Sequence, residues 1–350
     1  MKPHFFSLLP QDLVSQANFE DESLSLAQAN RVLAHLVGDG KLDFTLRHPI
    51  RKSMQQKLGD HFSLDLLKII DQIEDPGDKS VRFLFEAQDK TLIEAVRIPL
   101  LKPGHFSLCL SSQGGCAMAC DFCATGRLGF KRHLQTWEII SQFWQIREQT
   151  IGRISGVVFM GQGEPFHNYD AVIKAAQILS SPSGGRINSK NITISTVGLV
   201  PQIKRFTKEG HPYRLIISLT SAIQEKRAKL LPAASAWSVD ELALAVRDYA
   251  EHGKELVTLA WVLIKGVNTG ADEVKALKEH FDGMKCKINL IDVNDARPNG
   301  YERADESERK NFIGLLKELK VPIVRRYSVG NSRHSACGML AGMRLSELSI

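Results

Sequence analysis

Cys116, Cys120 and Cys123 fall within eight residues, in the stretch GGCAMACDFCATG. The C-x3-C-x2-C spacing lets one short loop wrap three thiolates around a single metal centre. Thiolates are the usual ligands of iron-sulfur clusters, and a 4Fe-4S cubane held by only three of them keeps one iron open to an outside ligand. A structural zinc site closes on four ligands, and no fourth Cys or His stands at finger-like spacing, with His133 left as a candidate. A chance cluster of buried thiols is a poor account of three cysteines beside glycines on a strand-to-helix loop.

Two further thiols lie outside this spacing. Cys109 precedes the cluster by seven residues and Cys337 sits near the end of the chain in SRHSACGML. An isolated cysteine, Cys286 included, ordinarily serves as a small buried hydrophobe. MGQGEP at 160–165 places Gly163 and Glu164 where backbone can approach a ligand closely and a carboxylate can accept hydrogen bonds from an ammonium. A glycine-rich turn with a glutamate is also common as plain structure.

These residues need a scaffold that gathers them. From about residue 105 onward, short β-branched runs alternate with helical patterns: FSLCLS, GVVFMG, NITIST, RLIISLT, LVTLAWVLI, KINLID and VPIVRR. This alternation predicts βαβ units and a parallel sheet of six strands or slightly more, hence an incomplete barrel with reactive groups on loops at the strand C-terminal ends. The cysteine loop follows the first strand and MGQGEP the second. Ser195, the run Ser218, Leu219 and Thr220, and Asn294 all occupy strand-end positions. Taken singly, such residues are turn or cap residues; their shared placement makes them candidates for a cofactor site.

The expected layout is an accessory unit over 1–80, a β-hairpin linker over 81–104 and a catalytic domain over 105–350. LAQANRVLAHLV and FSLDLLKIIDQI read as amphipathic helices, and VRFLFEAQ and KTLIEAVRIPL as a hairpin turning at Asp89-Lys90. The 43% hydrophobic, 24% charged composition is globular, and a formal charge of +6 permits a polyanionic partner without requiring one. The thiol-rich but disulfide-poor pattern and the lack of a long apolar run lead to the expectation of a cytoplasmic protein.

The cysteine triplet resembles the signature of radical-SAM enzymes, whose open iron binds S-adenosylmethionine. LCLSSQGGCAMACDFCATGRLGFKR, MGQGEP, NITISTVGLVP, CKINLI and SACGMLAG together resemble, in order, the RlmN/Cfr family of RNA methyltransferases, over roughly residues 81–345. The resemblance implies an α/β fold, a partial (β/α)6 barrel with a small N-terminal helical domain and the β-hairpin. It implies methylation of an sp2 carbon of adenosine, carbon 2 or carbon 8, in ribosomal or transfer RNA, using two S-adenosylmethionines per turnover and an electron donor such as flavodoxin. A monomer is expected. Cys337 is then the thiol that carries the methyl group, and Cys109 the partner that resolves the protein-RNA adduct through a transient disulfide bond. Glu94, by itself an exposed strand carboxylate, matches an active-site proton acceptor. Such a carrier makes chemical sense, because an aromatic carbon is a poor nucleophile toward a sulfonium methyl, and the cysteine separates polar transfer from radical addition.

The chain departs from the family in reading GQGEP, STVG and SLTS where GMGEP, STSG and SLHA are usual, and Thr220 replaces a histidine. Arg127, Lys131, Arg132 and His133 after the cluster, with Arg325, Arg326, Arg333 and His334 near the end, are the candidate RNA contacts. Two other readings stand beside this one: a radical-SAM enzyme acting on a non-RNA substrate with Cys337 structural, and an RNA-binding protein with a structural or redox-sensing cluster.

Overall fold

A computed structural model describes residues 2–44, 46, 50–252, 256–295, 297–326 and 337–340. Near the N-terminus, α1 (Pro10–Gln16), α2 (Leu26–Leu33) and α3 (Lys52–His61) surround Phe5, Phe6, Leu13 and Leu58, which are all fully buried. Ser25 caps α2 in a capping box with Gln28, which explains why the LAQANRVL pattern begins there.

The sheet starts earlier in the chain than the hydrophobic pattern predicts. KIIDQIE, read as part of a helix, forms strand β1 (Lys68–Glu74) and pairs antiparallel with β2 (Val81–Glu86). An edge strand gains backbone hydrogen bonds from its neighbour that a short, largely polar helix could not match, so tertiary pairing overrides the local pattern. β2 and β3 (Leu92–Pro99) form the expected hairpin, with Lys90 at a φ of +65° in its turn. β3 in turn pairs with β4 (His105–Leu110), so the hairpin is hydrogen-bonded into the larger sheet.

After β4 the chain makes a small ribbon, β5 (Gln113–Gly115) and β6 (Phe130–His133), which brackets the cysteine loop and the one-turn α4 (Ala124–Arg127). It then alternates regularly: α5 (Thr136–Glu148), β7 (Arg153–Phe159), α6 (Tyr169–Ser180), β8 (Ile192–Thr196), α7 (Val200–Glu209) and β9 (Arg214–Ser218). α8 (Gln224–Leu230), α9 (Val239–His252), β10 (Val257–Leu263), α10 (Ala271–Phe281), β11 (Cys286–Asp292), α11 (Glu306–Leu316) and β12 (Ile323–Arg326) complete it.

Strands β4, β7, β8, β9, β10, β11 and β12 are parallel neighbours in that order. β1 and β12 are the edges of the ten-stranded sheet among the described residues, so the barrel is open. The seven parallel strands agree with the six or slightly more expected from the alternation, and the open barrel with the partial (β/α)6 fold that the resemblance implies. The middles of the inner parallel strands are apolar because helices cover one face and the barrel interior the other. α5 ties the N-terminal unit to the barrel: Trp137 stacks on His4 with ring centroids 4.7 Å apart, Trp144 donates to the Leu36 carbonyl at 3.2 Å, and Ser141 accepts from Leu67 N–H at 3.0 Å. No helix among the described residues is long and apolar enough to cross a membrane.

Candidate active site

The open cavity lies at the C-terminal ends of the parallel strands, where the loops converge. Cys120, Cys123, Gly163 and Glu164 line one side of it, and Ser195, Ser218, Thr220 and Asn294 another. Cys337 and Gly338 close it from the C-terminal segment. Most of the residues singled out by strand-end position are thus brought together. Leu219 is buried without lining the cavity; it contributes only main chain, its N–H donating to the Ala260 carbonyl at 2.9 Å.

The cysteine loop is held by backbone. Gly115 adopts a φ of +72°, and a Cβ there would sit 1.9 Å from the Gly129 carbonyl oxygen, so only glycine lets β5 and β6 approach this closely. Cys116 N–H donates to that same carbonyl at 2.9 Å, and Cys123 serves as the N-cap of α4. Burial pushes the Cys116 thiol up to about 12 and raises Cys120 and Cys123 as well, with neighbouring thiols and Glu164 adding to the effect at Cys116 and Cys120. Without a metal these are thiols, and binding must displace their protons. Among the described residues no three His, Cys, Asp or Glu side chains stand close enough to share one ion. Three thiols on one loop, with no fourth Cys or His ligand beside them among the described residues, are the donor set of a 4Fe-4S cluster that leaves one iron open. His133 faces elsewhere, accepting a hydrogen bond from Gln113 at 3.1 Å.

Sequence reasoning missed Arg227. On QEKRAKL it reads as surface charge, yet its side chain is fully buried, donating to the Ser218 carbonyl at 3.0 Å and to the carbonyls of Leu219 and Val197. Burial lowers its guanidinium to about 10, and Cys120 draws it back up. It places a positive charge beside Cys120, where it favours the thiolate form.

Glu164 is buried under MGQGEP. Its Oε1 accepts from Phe166 N–H and its Oε2 from Val197 N–H, both at 2.9 Å. Burial nevertheless pushes its carboxyl up to about 7, against the pull of those bonds and of Thr196. Gly163 has a φ of +105°, and a Cβ there would meet the Gln113 side chain at 2.6 Å. Thr220 has a φ of +60°, a strained conformation for a β-branched residue, and its buried hydroxyl has no hydrogen-bond partner. A strained residue with an orphaned hydroxyl on a cavity wall fits a polar ligand such as S-adenosylmethionine.

The C-terminal thiol is docked onto the cluster loop. Asn294 Nδ2 donates to the Cys337 carbonyl at 3.3 Å, and Thr125 Oγ1 donates to the Leu340 carbonyl at 2.6 Å. Cys109 sits on β4 between Val96 of β3 and Val158 of β7, in an apolar patch with Leu340. Its thiol is pushed up to about 12 by burial and then by Cys337, with Arg326 and a backbone bond from Met160 acting the other way. The disulfide bond implied by the resemblance is not formed: all six cysteines carry free thiols. Burial keeps Cys109 protonated.

Glu94 is not the exposed carboxylate that its strand position suggests. It is fully buried, accepts from Arg82 Nη1 at 2.7 Å and does not line the cavity. Its N–H donates to Gln162 Oε1 at 3.1 Å, so the residue that departs from the usual GMGEP pattern holds the backbone of Glu94. Of the basic candidates, Arg132 is tied to Asp89 and Glu138, Arg127 stands 3.9 Å from Asp295, and Arg325 pairs with Asp292 at 3.1 Å. Arg333 and His334 lie outside the described residues.

A family model of the Radical SAM superfamily matches residues 110–279. A protein from Anaeromyxobacter sp. (strain Fw109-5) named Probable RNA methyltransferase is 44% identical over 337 residues, 95% of this chain and 98% of its own. Clostridium beijerinckii has a Probable dual-specificity RNA methyltransferase RlmN that is 36% identical over 301 residues, 86% of this chain and 85% of its own. The crystal structure of a radical SAM methyltransferase from Sphaerobacter thermophilus superposes with a TM-score of 0.87 at 28% identity, covering 97% of this chain and all of that one.

Proposed function

Because this chain belongs to the RlmN/Cfr family of radical-SAM RNA methyltransferases, we propose that it methylates carbon 2 of an adenosine in ribosomal or transfer RNA, with Cys337 as the carrier of the methyl group. The observation that carries this reading is the docking of the Cys337 segment onto the cysteine loop, with Cys109 beside it. Carbon 2 in place of carbon 8 rests on the RlmN name of the relatives. The chain works as a monomer with an electron donor such as flavodoxin.

Cys116, Cys120 and Cys123 would hold the 4Fe-4S cluster; Gly163, Glu164, Ser195, Ser218, Thr220 and Asn294 would hold S-adenosylmethionine, with Leu219 shaping the wall through its main chain. When bound, these groups supply the methyl carbon and the hydrogen-abstracting radical, two S-adenosylmethionines being used per turnover. Cys337 positions the carbon at the cavity. As that carbon joins the base, the base carbon gives up its proton to Glu94 and the unpaired electron passes to the electron carrier; Cys109 then loses its proton and attacks the Cys337 sulfur. An S–S bond forms as the S–CH2 bond breaks, and the electron pair left on carbon takes up a proton to give the methyl group. Reduction by two electrons restores both thiols. Glu94 is the proton acceptor of this scheme, and reaching the base requires it to leave the Arg82 ion pair.

Peptide mass spectrometry of anaerobically reconstituted protein should show one methyl group on Cys337, and RNA from cells carrying the gene should contain 2-methyladenosine that a deletion strain lacks. Cys109→Ala should leave protein covalently attached to RNA. An unmodified Cys337 despite an intact cluster and added S-adenosylmethionine would sink the carrier role; 8-methyladenosine would move the product to the other carbon.

A further inference from the structure

Ten large hydrophobic side chains are conspicuously exposed among the described residues, and Phe130 is the only aromatic one. It is 40% exposed, with Leu128 at 45% two residues before it. An aromatic ring left in water beside an active site is a candidate contact surface. Phe130 is not isolated: its ring centroid lies 5.0 Å from that of His133 and 5.4 Å from that of His167, and the two histidine rings are 4.8 Å apart. Both histidines are exposed.

The three rings are fixed by one side chain. Gln113 Oε1 accepts from Glu164 N–H at 2.8 Å, so its amide cannot flip without losing that bond. Its Nε2 therefore faces the histidines, 3.1 Å from Nδ1 of each. An amide nitrogen only donates, so both Nδ1 atoms accept and each neutral ring carries its proton on Nε2. The rings are mutually inclined, at 60° between Phe130 and His133, 49° between Phe130 and His167 and 75° between the histidines, so the exposed Phe130 ring is buttressed by two imidazoles that Gln113 joins to the backbone of Glu164 in the cavity wall.

Its position is also defined. Phe130 and His133 lie on β6, in the ribbon inserted after β4; Phe130 stands opposite Gly115, one residue before Cys116. His167 lies in the short helical turn that follows β7. None of the three rings lines the cavity; they stand behind its wall, connected to Glu164 through Gln113. Lys131 between them is exposed and makes no ion pair among the described residues, unlike neighbouring Arg132.

We infer that the Phe130 ring, held by His133 and His167, is a platform on which an unpaired base of the RNA flanking the reacting nucleotide stacks, while Lys131 meets its phosphate. The inference takes its ligand from the RNA methyltransferase reading and adds where the strand lies. Aromatic and imidazole faces hold unpaired RNA bases in this way, and stacking tolerates any base because each has a π-face.

The test uses reconstituted holoenzyme and a fluorescein-labelled single-stranded oligoadenylate, read by anisotropy over a range of salt. Phe130→Ala should weaken binding by about tenfold without changing the salt slope, because stacking carries no charge. Lys131→Ala should lower that slope by about one. Phe130→Trp should bind as well as the parent, and thermal unfolding with the cluster absorbance checks that each variant is folded. Equal affinity of the parent and Phe130→Ala overturns the platform, as does a loss shared by Phe130→Trp or equal affinity for single-stranded and duplex RNA. A parent holoenzyme that binds no RNA overturns the RNA reading itself.

Discussion

The backbone N–H of Ala124, one residue after the last cluster thiol, donates to the carbonyl of Gly338, one residue after Cys337, at 2.7 Å. This bond joins the cysteine loop to the Cys337 segment directly, and Thr125 repeats the link through its hydroxyl to Leu340. Cys337, the proposed methyl carrier, is therefore held against the cysteine loop.

Thr125→Val tests that docking with almost no change of shape. It leaves the Leu340 carbonyl without its buried donor, a cost of about 1–3 kcal/mol. The yield of methylated Cys337 should fall several-fold while iron content is kept. Unchanged methylation would show that the Ala124 bond alone suffices.

The buried Arg82–Glu94 pair separates a structural role from a chemical one. Glu94→Gln leaves the Arg82 charge without its carboxylate and should destabilise the fold by about 3–5 kcal/mol, read from urea unfolding. Replacing both residues by Met should recover most of that stability. If Glu94 also accepts a proton in the reaction, the double variant stays inactive on RNA; recovered methylation would leave it a purely structural residue.

Thr220 stores strain at the cavity wall. Thr220→Gly suits a φ of +60° and should raise the stability of the cofactor-free protein by about 1 kcal/mol. The same change deletes the unpartnered hydroxyl, so affinity for S-adenosylmethionine should drop. Calorimetric titration checks the second effect and thermal unfolding the first; unchanged affinity would mean the hydroxyl has no ligand to meet.

His4 gives the fold a pH dependence of defined sign. Burial lowers its imidazole from 6.5 to about 4, its Nδ1 accepting from Phe6 N–H at 3.0 Å and its Nε2 lying 2.7 Å from the Asp65 carbonyl. The unfolded chain binds this proton first, so the contribution is fully present above pH 6.5 and is lost as pH falls toward 4, by on the order of 3 kcal/mol. Parent and His4→Asn should therefore converge in stability across that range. Parallel curves in urea would show that His4 does not titrate there.

Much of this was legible in the chain because it is local. Ligand spacing in CAMACDFC depends on a few covalently linked residues, and alternating β-branched runs report a parallel sheet because both faces of each strand are covered. Those features specified the barrel, the cluster loop and the strand-end positions of Ser195, Ser218 and Thr220. Only the tertiary structure decided what depends on distant segments meeting. It turned KIIDQIE into an edge strand, buried Arg227 beside the thiols, paired Glu94 with Arg82, and brought Thr125 to Leu340 across 215 positions of sequence. Burial and partnership set the charge state of a side chain and the reach of a thiol, and neither is a property of its neighbours in the chain.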